Sequence, residues 1–305
     1  MSALLGNQRS PRARHVSVEA LLASHPGESD PKAVIRRLAR AKVAYAKSHG
    51  WSGPPFCPKE LASLFGIRCR EVGHDIGGDG RILLYPDGKP WIEYRAGRMP
   101  ERQRFTIFHE FAHTLFPDYC EFLPRYQTPE KKLHDPEKEF EFLCDLAAAE
   151  MLLPAEEFRR DLNSAGRLGF EAVHDLRERY KASIDATTYR LVELTDSVSC
   201  AAVFFTDQKG GHPGCGPLWV KNCSKNSQFK SYLQPGVSPP TNSIVVHCFR
   251  NGAETTTPMK ETWRIYGQPR TWLVQAAKLP TVIDNPDYPK VVALLLPSGY
   301  GRNLR

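Results

Sequence analysis

The sequence predicts an α+β protein in which a mainly helical region precedes a β-rich one. Helical patterns that end at prolines dominate residues 31–195 and enclose a few short strand patterns. After Thr195, short apolar runs separated by glycine and proline turns replace the helical patterns. We therefore expect a flexible leader over residues 1–30, a mainly helical domain with a small β-sheet over 31–195, and a β-rich domain over 196–305.

The individual elements follow from local signals. The leader is rich in proline, serine, glycine and charge, whereas Pro31 to about Ser48 has apolar residues at helical spacing. Further helices are expected at 58–65, 100–116, 137–153, 155–163 and 170–195, and strands at 67–74, 81–85 and 91–95. The helical pattern at 170–195 is interrupted near 181–185, which gives a helix-turn-helix outline. In the last region, β-type runs occur at 200–205, 218–221, 243–249, 262–266, 271–275 and 291–296.

Composition excludes several classes of protein. The 305 residues are 41% hydrophobic and 25% charged, as in soluble globular proteins. The longest dense apolar run, Val291 to Leu296, is far shorter than the ~18 residues of a membrane helix. The first thirty residues contain no apolar signal-peptide core, and the eight cysteines form no C-x-x-C pair. We expect a cytoplasmic protein with reduced thiols and no membrane contact.

The helix expected at 100–116 contains the sequence His109-Glu-Phe-Ala-His113. Histidines at positions i and i+4 lie on one face of a helix, so both rings can bind one metal ion. Glu110 lies beside them, where it could accept a proton from a water molecule that the metal activates. The surrounding residues are apolar on most sides, and buried histidines without partners would cost several kcal/mol. The pattern therefore predicts a metal site.

A catalytic zinc requires a third protein ligand and an open position. A third histidine six residues after His113 is excluded, because position 119 is Tyr119. The next helix offers the acids Glu137, Glu139, Glu141 and Asp145. Glu141 and Asp145 begin a stripe that is otherwise small or apolar, so Glu141 could reach the metal and Asp145 could hydrogen-bond a ligand histidine. Spacing alone leaves Asp145 and His134 as alternative ligands.

Two segments resemble the ImmA/IrrE family of metallopeptidases. One is Arg104-Phe-Thr-Ile-Phe-His-Glu-Phe-Ala-His-Thr-Leu-Phe116, and the other is Glu141-Phe-Leu-Cys-Asp-Leu-Ala-Ala-Ala-Glu-Met-Leu-Leu-Pro154. In that family the second pattern begins with the glutamate that completes the zinc site, which matches Glu141. The resemblance covers roughly residues 31–195 and implies a zincin-like peptidase domain that binds Zn²⁺, with Mn²⁺ as an alternative. Residues 196–305 resemble the sensor-like module of the radiation-response branch only loosely.

Other candidate groups are less specific. Tyr94, Arg95, Tyr126 or His134 could stabilise an oxyanion, and the sequence does not choose among them. The strand 91–95 could form a sheet edge on which a peptide adds as a further strand. The tail also holds soft metal ligands, which are His212, Cys215, Cys223, His247 and Cys248. Their spacing fits no usual structural zinc site, so we interpret them as buried thiols and surface imidazoles.

Charge is unevenly distributed along the chain. Residues 32–47 carry +6 and residues 196–305 carry +6, whereas residues 51–195 carry −5. Basic flanks suggest an anionic partner, either DNA or an acidic protein face, although a solvated helix face and a mildly basic second domain explain the same counts.

Together these observations predict a zinc-dependent endopeptidase, with His109, His113 and Glu141 as ligands and Glu110 as the general base. The family resemblance implies that its substrate is a helix-turn-helix (XRE-type) repressor, cleaved to induce a stress or mobile-element response. The alternative is a DNA-binding or ligand-sensing transcription regulator in which the metal site is only structural. An intact Glu110 favours the enzyme, because a structural site needs no general base.

Overall fold

A computed structural model of the chain describes residues 14–122, 135–209, 212–213, 218–231, 233–265, 268–281 and 288–300. The chain divides into two compact units, Met1–Leu152 and Leu153–Arg305, which we describe in turn. Among the residues with a described position, no helix is both long enough and apolar enough to cross a bilayer.

The first unit is mainly helical. Its helices are α1 Val16–Ala23, α2 Pro31–Ser48, α3 Pro58–Leu64, α4 Pro100–Ala112, α5 Tyr119–Phe122 and α6 Asp135–Leu152, and a 3₁₀ turn, His113–Leu115, follows α4. The helices predicted at 31–48 and 137–153 are confirmed. Asp30 caps α2 by accepting a hydrogen bond from the Lys32 N–H, and Pro31 occupies its first turn. The helix predicted at 100–116 ends as a 3₁₀ turn, because the chain leaves helical geometry before Pro117.

Helix α1 lies within the expected flexible leader. Its Val18 and Leu21 are fully buried, and α1 packs against α2. The Ser17 N–H donates a hydrogen bond to Nδ1 of His15, which caps the helix. Two helical turns offer too few apolar repeats to be recognised in a sequence, so residues 14–30 differ from the expectation. Residues 1–13 of the expected leader lie outside the described residues.

A three-stranded sheet packs against α4. Its strands are β1 Arg68–Val72, β2 Gly80–Leu84 and β3 Pro90–Arg95, in the order β1-β3-β2. Strand β3 pairs with β1 in parallel and with β2 antiparallel, so it is central. The expectation that this strand forms a sheet edge is therefore wrong, because parallel pairing with β1 is a non-local event that strand patterns do not encode. Of the two edges, β2 packs against α4.

Helices α4 and α6 pack against each other and position the candidate site. Phe108 and Phe111 of α4 are buried, as are Ala147 and Ala148 of α6. The small alanine side chains allow the two backbones to approach closely. Polar residues on the facing sides of these helices are therefore brought together, with Glu110 buried and Glu141 and Asp145 partly open to solvent.

The second unit contains three helices followed by a mixed β-rich segment, as far as the structure describes it. Its elements are α7 Ala155–Ala165, α8 Phe170–Tyr180, α9 Ile184–Leu194, β4 Ala201–Thr206, β5 Gln208–Lys209, β6 His212–Pro213, β7 Trp219–Lys225, α10 Ile244–Asn251, β8 Met259–Ile265, β9 Gln268–Lys278 and β10 Val291–Pro297. The main sheet is antiparallel, in the order β7-β4-β10-β9-β8. An α+β fold with a β-rich C-terminal region is thus confirmed.

One prediction in this region is wrong. Residues 243–249 were expected to be β-type, but they belong to α10. Ser243 caps this helix by accepting a hydrogen bond from the Val245 N–H, and Gly252 ends it in the left-handed conformation. Glu261 on β8 also accepts a hydrogen bond from the Ile244 N–H at 2.6 Å. These capping contacts outweigh the β-propensity of the Ile-Val-Val run.

The main sheet is covered on its two faces by different elements of its own unit. On one face α10 closes an apolar core, which includes Val203, Phe205, Val274, Val291 and Leu295. On the other face, Tyr189 of α9 stacks on Phe204 of β4, with ring centroids 4.2 Å apart. Because α7, α8 and α9 belong to the same compact unit as this sheet, the compact division lies at residue 152, upstream of the boundary predicted near 196. The functional boundary stays a prediction.

Candidate metal centre

Helix α4 and the 3₁₀ turn that follows it place three potential metal ligands together. Ligand-type atoms of His109, Glu110 and His113 all lie within 4.8 Å of one another. The two imidazole rings are 5.2 Å apart between centroids and nearly perpendicular. Among the described residues this is the group in which three or more such side chains converge. The i, i+1, i+4 spacing thus produces the convergence that the sequence suggested.

Glu110 on α4 is buried against strand β2, and its side chain is 10% exposed. The backbone of Ile82 hydrogen-bonds to its carboxylate. Gly80 makes this approach possible, because a Cβ there would lie 2.3 Å from Cγ2 of Thr106 and 3.2 Å from Oε1 of Glu110. Sequence reasoning missed Gly80, and its signal was a glycine at the start of a predicted strand.

Helix α6 supplies three further polar groups. Oε2 of Glu141 lies 2.9 Å from Nε2 of His109, and Oδ1 of Asp145 lies 2.8 Å from Nδ1 of the same ring. Sγ of Cys144 lies 3.6 Å from Nδ1 of His113. Residues 141, 144 and 145 are spaced i, i+3, i+4, so they lie on one face of α6. The structure therefore brings Glu141 and Asp145 to the metal helix, while His134 lies outside the described residues.

Burial and neighbouring charges shift the two histidines in opposite directions. Burial and the positive charge of His109 lower the pKa of His113 to about 4, so its ring is neutral at pH 7. For His109, burial acts to lower the pKa, but hydrogen bonds with Asp145 and Glu141 and the charge of Glu110 outweigh it and raise the pKa to about 10. A metal ion that binds His109 must therefore displace a proton.

The two glutamates also differ. Burial raises the pKa of Glu110 to about 7, against the charge of His109 and with the support of the negative charge of Glu141. Burial also acts to raise the pKa of Glu141, but its hydrogen bond with His109 and the nearby histidine charges lower it overall. At neutral pH, Glu141 is therefore a carboxylate, whereas Glu110 is close to its midpoint.

This set of side chains suits a divalent cation. Two imidazoles and a carboxylate are usual ligands of catalytic zinc, and Mn²⁺ accepts the same donor types. The fit rests on the buried carboxyl group of Glu110 and the partly exposed carboxylate of Glu141, whose negative charges a cation would stabilise. His109, His113 and Glu141 could hold such an ion, and Glu110 lies within reach of it.

A group of aromatic contacts beside the site was not predicted from the sequence. Phe140 packs against His113, with ring centroids 5.1 Å apart, and against Phe116 at 4.6 Å. The ring of His15 stacks on the same Phe140 at 4.6 Å. No sequence signal could link His15 to residues more than 90 positions away.

The two candidate oxyanion residues that the structure describes, Tyr94 and Arg95, contact groups other than the two histidines. Tyr94 lines a pocket of about 290 Å³ beside Gln103 and Arg104, which lie on a different face of α4 from His109. Arg95 faces Asp75, with 3.7 Å between Nη1 and Oδ1. The remaining candidates, Tyr126 and His134, lie outside the described residues.

The soft ligands of the tail do not form a cluster in the part of the chain that is described. Cys248 is buried, and its thiol donates to the Ala253 carbonyl at 3.2 Å. The ring of His247 contacts Asn251 on the same helix. Cys223 is half-buried in β7, while Cys215 and the side chain of His212 lie outside the description.

Comparisons with known proteins converge on this region. Residues 65–192, which include every site residue named above on α4 and α6, match the model of the IrrE N-terminal-like domain. The radiation response metalloprotease IrrE of Deinococcus deserti is 31% identical over 150 residues, which is 46% of this chain and 50% of the relative. The protein of the same name from Deinococcus radiodurans is 32% identical over 171 residues, covering 51% and 50%. The chain spans about half the length of these curated relatives.

A solved structure shares the fold more extensively. A Mycobacterium tuberculosis transcriptional regulator superposes with a TM-score of 0.55, covering 86% of this chain and 76% of that protein. The sequence identity is 18%, so this likeness concerns the fold alone.

Proposed function

We propose that this chain, which belongs to the ImmA/IrrE family through residues 65–192, is a metal-dependent endopeptidase. The observation that carries the proposal is the convergence of His109, Glu110 and His113, with the Glu141 carboxylate in contact with His109. In this proposal His109, His113 and Glu141 hold Zn²⁺, with Mn²⁺ as the alternative, and Asp145 orients His109. Glu110 is the general base.

The role of Glu110 follows from its surroundings. A divalent cation at this site would supply Lewis-acid activation of a peptide carbonyl and of water. In the metal-free chain, burial raises the pKa of Glu110, which makes its carboxylate a stronger proton acceptor. The hydrogen bond with the Ile82 backbone fixes the carboxylate. Glu110 accepts a proton from the attacking water and then donates it to the leaving amine.

Strand β2 is the proposed binding edge for an extended peptide. It has one described neighbour in its sheet, β3, and it also contacts α4. The contact of Gly80 and Ile82 with Glu110 places this edge next to the proposed base. A peptide that adds to β2 as a further strand would pass the catalytic carboxylate in an extended conformation.

The finer points of function are supported by family resemblance and by chemistry. We propose a specific protein substrate, an XRE-type helix-turn-helix repressor, whose cleavage induces a stress or mobile-element response. The names of the curated relatives support a radiation or stress response. The described cysteines are free thiols, which supports a cytoplasmic location. In this proposal residues 31–195 are the peptidase domain, and residues 196–305 are a regulatory, sensor-like domain.

The rival proposal is a transcription regulator that reads DNA through the helix-turn-helix outline. Helices α8 and α9 have this outline, but none of the α9 side chains is exposed. Three cations of α2 also have intramolecular partners: Arg40 pairs with Glu150, while Lys42 and Lys47 lie over aromatic rings. Both observations favour the peptidase, and DNA contact through the basic flanks is a secondary proposal.

The test of the proposed function separates the base from the ligands. We expect about one zinc per chain in the wild-type protein, and the same in Glu110→Gln, because Glu110 is not a ligand. This variant should lose cleavage of a co-encoded repressor by at least ~10²-fold. Glu141→Ala should lose both zinc affinity and cleavage. Glu139→Ala, on the same helix, is the matched control and should retain both.

The outcomes are read from metal analysis and gel-based cleavage. Loss of zinc in Glu110→Gln would make Glu110 a ligand, and retained cleavage would exclude it as the base. Unchanged zinc affinity in Glu141→Ala would move the third ligand to Asp145 or His134. Low-salt DNA binding whose affinity falls steeply with salt would support the regulator instead.

A further inference from the structure

Each histidine of the metal centre has a second ring nitrogen, and helix α6 provides a partner for both. Nδ1 of His109 lies 2.8 Å from the carboxylate of Asp145, and Nδ1 of His113 lies 3.6 Å from the sulfur of Cys144. The two partners are adjacent in sequence and follow Glu141 by one helical turn. One helix face therefore contacts both imidazoles.

We propose that Cys144 is the positioning residue of His113. Its sulfur accepts a hydrogen bond from the Nδ1–H group, which leaves the lone pair of Nε2 available for a metal ion. The inference rests on the proposed function, since it takes His113 as a metal ligand.

The tautomer of His113 is the reason that this contact matters. A neutral imidazole has one N–H group and one lone pair, and the hydrogen bond at one nitrogen decides which atom carries the proton. If the thiol donated to Nδ1, the proton would lie on Nε2 and block it as a ligand. Nε2 is the nitrogen that faces the site, because it lies 3.9 Å from Oε2 of Glu110. A sulfur acceptor at Nδ1 thus selects the tautomer that binds metal.

The surroundings of Cys144 suit an acceptor that is neutral and fixed. Its side chain is fully buried, and burial raises the pKa of the thiol well above its ordinary value. Phe140 packs against the His113 ring from the same helix. The ring is therefore held by an aromatic contact and a sulfur contact, both from α6.

A buried cysteine can also be a simple packing residue, and Cys200 provides the comparison. Cys200 is equally buried, but among the described residues its sulfur contacts the Val192 carbonyl at 4.0 Å and the side chain of Thr195, neither of which is an imidazole. Removing either thiol creates the same loss of volume. Only the loss of Cys144 should affect the metal site.

The experiment measures zinc affinity by competition with a chromophoric chelator and records the visible spectrum of the Co²⁺-substituted protein. Outer hydrogen-bond partners of metal-binding histidines typically change metal affinity 10–100-fold. Cys144→Ala should therefore bind zinc about 10-fold more weakly than the wild type and show a shifted Co²⁺ spectrum. Cys144→Ser should recover part of the affinity, because a hydroxyl oxygen can accept the Nδ1–H bond. Cys200→Ala should match the wild type in both measurements.

The controls separate this inference from the proposed function. Wild-type affinity and spectrum in Cys144→Ala, in a protein that binds zinc normally, would overturn the positioning role and leave the metal site intact. Equal weakening in Cys144→Ser and Cys144→Ala would assign the thiol to packing and also overturn it. A wild-type protein that binds neither zinc nor Co²⁺ would overturn the proposed function, and with it this inference.

Discussion

The candidate metal centre of the first unit and the sheet core of the second unit bury opposite kinds of side chain. The core between the sheet and α10 contains aliphatic and aromatic residues such as Val203, Phe205 and Leu295. The metal centre instead buries Glu110 and places His113 in a water-poor position. Burial therefore serves stability in one region and chemistry in the other.

Burial of these two kinds of side chain has opposite effects on the free energy of folding. Each fully buried aliphatic side chain contributes about 1.5–3 kcal/mol to folding. A buried carboxylate costs free energy unless it is paired, and its raised pKa measures that cost. The candidate metal centre therefore lowers the stability of the metal-free fold. A cation that binds only the folded chain would offset this cost. The two regions should respond differently to substitution.

The largest expected effect on stability is in the sheet core. Leu295→Ala removes a fully buried side chain from β10 and should cost about 2–5 kcal/mol. Thermal unfolding should show a lower Tm, while the exposed control Leu64→Ala should change little. Below the transition, zinc content should be unchanged, because every proposed ligand lies in the first unit. Zinc loss from a folded Leu295→Ala protein would show that the sheet core also contributes to metal binding.

In the metal-free protein, substitution of Glu110 should raise stability, in contrast to Leu295→Ala. Its pKa is about 7 when folded, against a usual 4.5, so the unfolded chain ionises first as the pH rises. The contribution of Glu110 to stability should therefore fall between pH 4.5 and 7, and Glu110→Gln, which is always neutral, should lack this contribution. At pH 8 the variant should be more stable by about 3 kcal/mol, with no gain near pH 4.

The measurement is denaturant unfolding of chelator-treated protein across this pH range. Glu60→Gln, at an exposed position, is the control and should show no such pH-dependent gain. If Glu110→Gln were no more stable than the wild type at pH 8, the carboxylate would not be under the burial cost that its proposed role requires.

Local patterns predicted most of the elements that carry the site. Helix geometry alone places His109 and His113 on one face, and the stripe on α6 anticipated that Glu141 and Asp145 would approach them. Their roles as ligand and orienting residue stay predictions. Proline and capping signals located α2 and α4 to within a few residues.

Features that depend on non-local pairing were not accessible from the sequence. The central place of β3 depends on its parallel pairing with β1. Along the chain, the two strands are separated by β2. The approach of Gly80 to Glu110 depends on the packing of a strand against a helix. For α10, the β-propensity of its residues pointed to a strand, whereas the contact of Glu261 with its N-terminus is made only in the folded chain.

The smallest expected effect concerns the charge contrast between regions. Residues 51–195 carry −5, and residues 196–305 carry +6. If the acidic region receives a basic, DNA-binding repressor, long-range attraction should increase the association rate. Screening then predicts that repressor cleavage slows several-fold between ~50 mM and ~500 mM salt, with zinc content unchanged. Glu60→Gln should reduce this salt dependence only slightly, because a single exposed charge contributes little. Rapid, salt-insensitive cleavage of unrelated proteins such as casein would instead indicate a general degradative peptidase, in which the charge contrast has no part in substrate choice.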